Sequence, residues 1–247
     1  WQRRLALARP FLGVCAFALA AWAGWWWLTP LVLFLIFVAV VTVTHDVVHG
    51  SLGLGPLASD WALFALGAVL LESGHAYRAT HHQHHQVFPG PDDPEGDPAR
   101  MSLAQAVLHG PWFLPKLWLW AFRRRAGYSR EQAWLLIEAC VPFLVVAVGI
   151  LLLQRTPALL VYAVGAIAGS WVYPLLTVHL PHRGYGDSPL TQTSTLRGRM
   201  IPALFLELTY HLEHHLYPQV PSHHLPELSR RLEPVFRQAG VRPRRVP

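Results

Sequence analysis

A chain of 247 residues with 53% hydrophobic and only 14% charged side chains is too apolar for an ordinary soluble domain. Its formal net charge of +6 comes without a recognisable nucleic-acid-binding motif, so a membrane surface or an acidic protein suits it better. Its two cysteines, Cys15 and Cys140, both lie in apolar stretches and form neither a metal motif nor a disulfide framework.

The chain begins at Trp1 rather than Met, as an N-terminally truncated sequence would. Residues 11–28 are apolar and about one bilayer long. No small-residue cleavage site follows and a second apolar run starts at once, so the pattern predicts a membrane hairpin rather than a signal peptide. Thr29-Pro30 breaks the run, and Pro30 fits the first turn of a second span over 30–48. That span ends in His45-Asp46-Val47-Val48-His49. Residues 56–71 and 103–122 are apolar but interrupted, the first by Asp60 and the second by Gly110-Pro111 and Pro115. Both are predicted to be interfacial or re-entrant helices, the second helped by its tryptophans. Between them lie His81-His82-Gln83-His84-His85 and the turn-rich segment 88–98, FPGPDDPEGDP, read as a loop.

Two further spans are predicted at about 134–154 and 158–178, parted by Arg155-Thr156-Pro157. The second leads into His179 and His182, and a third cluster follows as His211-Leu212-Glu213-His214-His215. The tail from Pro218 mixes Pro, Arg and Glu and reads as a solvated cap. The expected architecture is one all-α integral membrane domain over residues 1–247, with four transmembrane helices in two hairpins, interfacial helices and a histidine-rich cap. With a cytoplasmic N-terminus, segments 1–10, 45–133 and 179–247 face inward and hold 19 of the 20 Lys and Arg. The positive-inside rule therefore puts the histidines and both termini on the cytoplasmic side.

On a helix, positions i, i+3 and i+4 share a face. His45 and His49 thus pair, as do His81, His84 and His85, and His211, His214 and His215. His82 points off that face. His75 has no partner at ligand spacing, and His109, His223 and His224 are read as ordinary polar residues. Eight converging imidazoles are too many for one four-coordinate zinc. They suit two metal ions, with iron the metal for oxygen chemistry. His179 and His182 sit at the right depth for a ninth ligand, and the spacing does not choose between them. Asp46 and Glu213 are each either an acceptor for the outer ring N–H of a ligand or a solvated charge. Paired Glu and Glu-x-x-His ligands of the soluble di-iron bundles are not placed on the spans. Two-metal hydrolysis usually uses bridging carboxylates and is disfavoured for the same reason. A metal transporter would carry ionisable ligands near the membrane midplane, where these spans have almost none. A non-enzymatic membrane metal-binding protein is equally remote.

The three clusters in this order, HxxxH, HxxHH and HxxHH around two apolar hairpins, resemble the membrane fatty acid desaturase family. The third reads Thr209-Tyr210-His211-Leu212-Glu213-His214-His215-Leu216-Tyr217-Pro218, close to that family's usual form. The resemblance covers roughly residues 25–230. It implies a non-haem centre of two Fe ions, O2 as co-substrate, and electrons from a separate ferredoxin, rubredoxin or cytochrome b5. It also implies that His45, His49, His81, His84, His85, His211, His214 and His215 are ligands. The family's extra histidine is best matched by His182, with His179 second. Animal-type acyl-CoA desaturases carry an Asn four residues before that histidine, and this chain departs from the pattern with Val178 or Leu175. The piece Leu180-Pro181-His182-Arg183 resembles the desaturase-like carotenoid hydroxylases and ketolases. Oxidation of a fatty acyl chain and of a carotenoid stand nearly level, with the acyl chain placed first. Arg123, Arg124 and Arg125 either anchor the third span or steer an acidic electron donor.

Overall fold

The computed structural model describes residues 2–127 and 129–247. Helix α1 (Gln2–Trp22) starts earlier than the expected first span and ends earlier than residue 28. Gly24 takes φ of 72° and turns the chain there, well before Thr29-Pro30. After a 3-10 turn, α2 (Thr29–Val48) begins with Pro30 in its first turn. It is apolar all round and is the central post of the fold. In the Trp26–Val48 span 72% of the apolar window is buried, against 17% for α1. Ile36, Phe37, Val40 and Val43 of α2 anchor the main core.

Helices α3 (Pro56–Leu70) and α4 (Gly74–Val87) meet at a bend of 106°, the geometry of a re-entrant pair or a broken span. Leu71 makes the corner in the left-handed region, with φ of 61°. At Gly74 a Cβ would come within 2.5 Å of the Leu63 carbonyl oxygen, so only glycine lets α4 start against α3. After a short α5 (Asp97–Arg100), α6 (Leu103–Arg124) runs unbroken through Pro111 and Pro115. The apolar run is interrupted in composition there, but the helix expected over 103–122 is continuous. A capping box of Ser102 and Gln105 starts α6, and Ala106, Gly110, Phe113, Leu117 and Ala121 bury one face at helical spacing. This packing outweighs the local cost of the prolines. The opposite face leaves Leu108 and Trp112 exposed, as an interfacial helix requires.

Helix α7 (Ser129–Leu152) and α8 (Ala158–Ser170) form the second hairpin. Leu144 and Leu151 of α7 are exposed, as lipid-facing residues are. The fourth span goes beyond the expected residue 178. It continues from α8 through a π-helical turn (Pro174–His179) into α9 (Leu180–His182). Among the described residues, four helices are thus long and apolar enough to cross a membrane, or five if α3 and α4 form one span. The remaining chain builds the cap: β1 (Leu196–Arg197), α10 (Met200–Phe205), α11 (His211–Leu216), α12 (Leu225–Gln238) and β2 (Arg244–Arg245). Strands β1 and β2 pair in parallel and bring the C-terminal segment back under the cap. Cys15 and Cys140 are free and exposed on α1 and α7.

A polar knot ties the α3–α4 corner to α7. Glu138 accepts from Ser73 Oγ at 2.5 Å and pairs with His75 Nδ1 at 2.7 Å. Asp60 accepts from Arg78 at 2.8 Å and Arg130 at 2.7 Å. Trp134 stacks on His75 with ring centroids 4.9 Å apart. The corner that aims α4 at the cap is therefore held by a buried Ser73–Glu138–His75 hydrogen-bond network and by the Asp60 ion pairs as well as by apolar packing.

Candidate metal centre

Four segments carry imidazoles to one place at the junction of the spans and the cap. They are the end of α2, the middle of α4, the end of α9 and all of α11. His45, His49, His81, His85 and His214 form one group, and His84, His182, His211 and His215 a second. Within each group one nitrogen per ring lies within 4.8 Å of every other. On α4, His81 and His85 face the first group while His84 faces the second, so one helix feeds both. On α11, His214 does the first and His211 and His215 the second.

The facing atoms are Nε2 in most contacts. His84 lies 3.3 Å from His182, His182 lies 2.9 Å from His211, and His211 lies 3.2 Å from His215. In the other group His85 lies 3.2 Å from His81 and 3.0 Å from His214. Two nitrogens at about 2.1 Å from one metal and at right angles would stand about 3.0 Å apart.

The far side of each ring decides which nitrogen carries the proton. His84 Nδ1 donates to Asp93 Oδ2 at 2.8 Å, and His182 Nδ1 donates to the Gln192 carbonyl at 3.1 Å. The two Nε2 atoms thus face each other at 3.3 Å, a contact that a metal ion between them or a proton on one of them satisfies. A shared proton would satisfy one of the three contacts in this group, whereas a metal ion satisfies all of them. His49 Nε2 is buried with no hydrogen-bond partner, which is how a free ligand nitrogen stands. Burial first, and neighbouring imidazoles second, hold His211, His214 and His215 well below the usual imidazole range. Burial, reinforced by His85, pushes His49 down to about 2. These rings are neutral near pH 7, the state in which imidazole binds a metal.

Asp46 and Glu213 do something other than support a ligand ring. Asp46 Oδ1 accepts from the backbone N and Oγ of Ser222, at 2.9 and 2.7 Å. It pins the end of α2 to the start of the tail. Glu213 is buried and accepts from Thr195, which joins α11 to the segment before β1. Both point away from the ring faces of their own helices, so adjacency in sequence misleads. His179 lies outside both groups, because its Nδ1 donates to the Pro98 carbonyl at 2.8 Å. His82 also faces away and bonds the Val48 carbonyl at 2.9 Å. His109, His223 and His224 belong to neither group.

The carboxylates behind the rings come from the segment read as a plain loop. Glu95 pairs with His81 Nδ1 at 3.0 Å and is itself steadied by Thr80 Oγ1 at 2.7 Å. Asp93 also accepts the backbone N–H of Glu95 at 2.9 Å, so the two acids form one unit. In the sequence they stand in an acid-rich loop after the HxxHH cluster, with no periodic spacing to tie either acid to a particular ring.

Residues 20–247 match the family model described as fatty acid desaturase. The chain belongs to the fatty acid desaturase family. A beta-carotene ketolase of Paracoccus sp. (strain PC1) is 27% identical over 232 residues, covering 90% of this chain and 81% of the relative. As a member of the desaturase family the chain falls among oxidoreductases, and its two histidine groups, in a helical membrane protein, are arranged so that each could hold a metal ion.

Proposed function

We propose that this chain is a membrane-bound di-iron oxidoreductase that uses O2 to oxidise an unactivated C–H bond of a lipid. His45, His49, His81, His85 and His214 would hold one iron, and His84, His182, His211 and His215 the other. The observation that carries this reading is the convergence of ring nitrogens into two groups, with the Nε2 atoms of His84 and His182 facing each other inside the group of four. When bound, two irons with nitrogen ligands supply O2 activation and C–H oxidation. The chain's own residues hold and orient. Asp93, Glu95 and the Gln192 carbonyl fix the outer nitrogens of His84, His81 and His182. Tyr77 stacks on His81 at 4.8 Å and, with Tyr173, walls the site with apolar surface that excludes water.

A carotenoid ring is the substrate that the ketolase relative and the Leu180-Pro181-His182-Arg183 piece support. The family description supports an acyl chain as the second reading. Electrons come from a ferredoxin, rubredoxin or cytochrome b5 in trans. The excess of Lys and Arg around the cap supports a cytoplasmic metal site. The test is expression in a β-carotene-accumulating bacterium with a His84→Ala control, followed by mass spectrometry of the lipid extract. Carotenoids that gain oxygen with the wild-type chain alone are the expected result. Acyl chains that lose two hydrogens would move the assignment to desaturation, and equal products from both chains would sink the metal-centre reading.

A further inference from the structure

An apolar chamber of about 660 Å³ lies between α2, α4, α6, α7 and α8, beside the five-histidine group. Its inner end is formed by Thr44, which precedes His45, and by Tyr77, whose ring stacks on His81. Its outer end reaches Phe143, which is 79% exposed on the lipid-facing side of α7. The chamber therefore connects the bilayer to the neighbourhood of the metal centre.

Among the described residues, two buried polar atoms on its wall have no hydrogen-bond partner, Thr44 Oγ1 and Glu72 Oε1, while the rest of the Glu72 carboxyl has Ser170 as its neighbour. Two other threonines on the spans bond the carbonyl four residues back. Thr42 does so to Val38 at 2.8 Å and Thr177 to Tyr173 at 2.9 Å. Thr44 is on the same helix as Thr42 and only 7% exposed, yet its hydroxyl makes no such bond. Buried polar atoms left unpaired in an apolar wall are costly, and a ligand oxygen would satisfy them. Among the described residues no Lys or Arg lines this chamber. The other carboxylate on its wall, Glu138, is already engaged by His75 and Ser73. An anionic headgroup or a fatty carboxylate would be desolvated here without a counter-charge. Trp118 and Trp171 add flat aromatic faces suited to a rigid conjugated chain.

We propose that this chamber takes the ring end of an uncharged, membrane-dissolved isoprenoid, and that Thr44 and Glu72 are specificity residues that hydrogen-bond a hydroxyl or carbonyl oxygen on that ring. The proposal rests on reading the histidine groups as the centre of a lipid oxygenase. A site built around a ligand oxygen discriminates against the analogue that lacks it, because its own polar groups then stay unpaired.

The test measures binding to the purified full chain in lipid nanodiscs, without an electron donor so that no turnover occurs. The probes are β-carotene, its dihydroxylated counterpart zeaxanthin, and stearate, read by quenching of tryptophan fluorescence. Zeaxanthin is expected to bind about tenfold more tightly than β-carotene, the value of one buried hydrogen bond. Thr44→Val and Glu72→Leu should each lower that ratio several-fold while β-carotene still binds, which reports an intact chamber. Thr44→Ser should restore it, and stearate should displace neither carotenoid. Equal binding of the two carotenoids by the wild-type chain, an unchanged ratio in both variants, or ready displacement by stearate would each overturn the proposal. A chain that binds with this preference yet oxidises no carotenoid would instead count against the oxygenase reading.

Discussion

An imidazole offers a metal only the nitrogen that carries no proton, so the group behind each ring aims its lone pair. Asp93 does this for His84 and Glu95 for His81. Asp93→Asn should therefore weaken iron retention about 10- to 100-fold, measured as iron per chain after dialysis against limiting metal. Ser222→Ala removes a partner of Asp46 instead, and should leave iron content unchanged while costing about 1 kcal/mol of stability. Reversed results for the two variants would show that the acids have been assigned the wrong tasks. The ring sets were legible in sequence because i, i+3 and i+4 share a helix face. The acids behind them were not, since Asp93 and Glu95 reach the rings only after the loop has folded back over α4. The same limit explains Asp46 and Glu213, which neighbour ligands in sequence but bond Ser222 and Thr195 in space.

Helix α6 shows how a tertiary contact overrides local pattern. Gly110 and two prolines interrupt the apolar run within the expected helix, and the helix stays continuous with its small-residue face pressed on the end of α8. A Cβ on Gly110 would stand 2.1 Å from the Trp171 carbonyl oxygen, next to the π-helical turn that delivers His182. Gly110→Ala should destabilise the fold by about 1–3 kcal/mol and lower the thermal midpoint in detergent. Gly169→Ala is the matched control: nothing lies within 4 Å of its Cβ position, and helix propensity favours alanine there. Equal midpoints for the two variants would mean that the α6–α8 approach is not tight. The π-helical turn also separates His179 from His182. It sends one to the Pro98 carbonyl and the other into the four-histidine group, a choice that the spacing of the two residues leaves open.

Across the whole molecule, nine imidazoles from two spans, α4 and the cap converge on two points. Metal bound there would crosslink all four segments in the folded state alone. Stripping it with a chelator should lower the thermal midpoint, and adding iron back should restore it, because a ligand of the folded state stabilises that state. A midpoint indifferent to metal would argue against occupancy of either group. Sidedness is tested by a single cysteine at Arg242→Cys in a Cys15→Ser, Cys140→Ser background. A membrane-impermeant thiol reagent should reach it only from the cytoplasmic side, as the distribution of Lys and Arg requires. Apolar spans and three histidine clusters are local features, periodic along the chain, so fold class, family and the gathered rings could be read directly from residue order. The partition of those rings into five and four, the turning of His179 to the Pro98 carbonyl, the acids behind the rings and the chamber beside Thr44 depend on the 106° corner, the π-helical turn and the returning tail. Those features arise from contacts between residues far apart in the chain, which residue order specifies only through the packed structure.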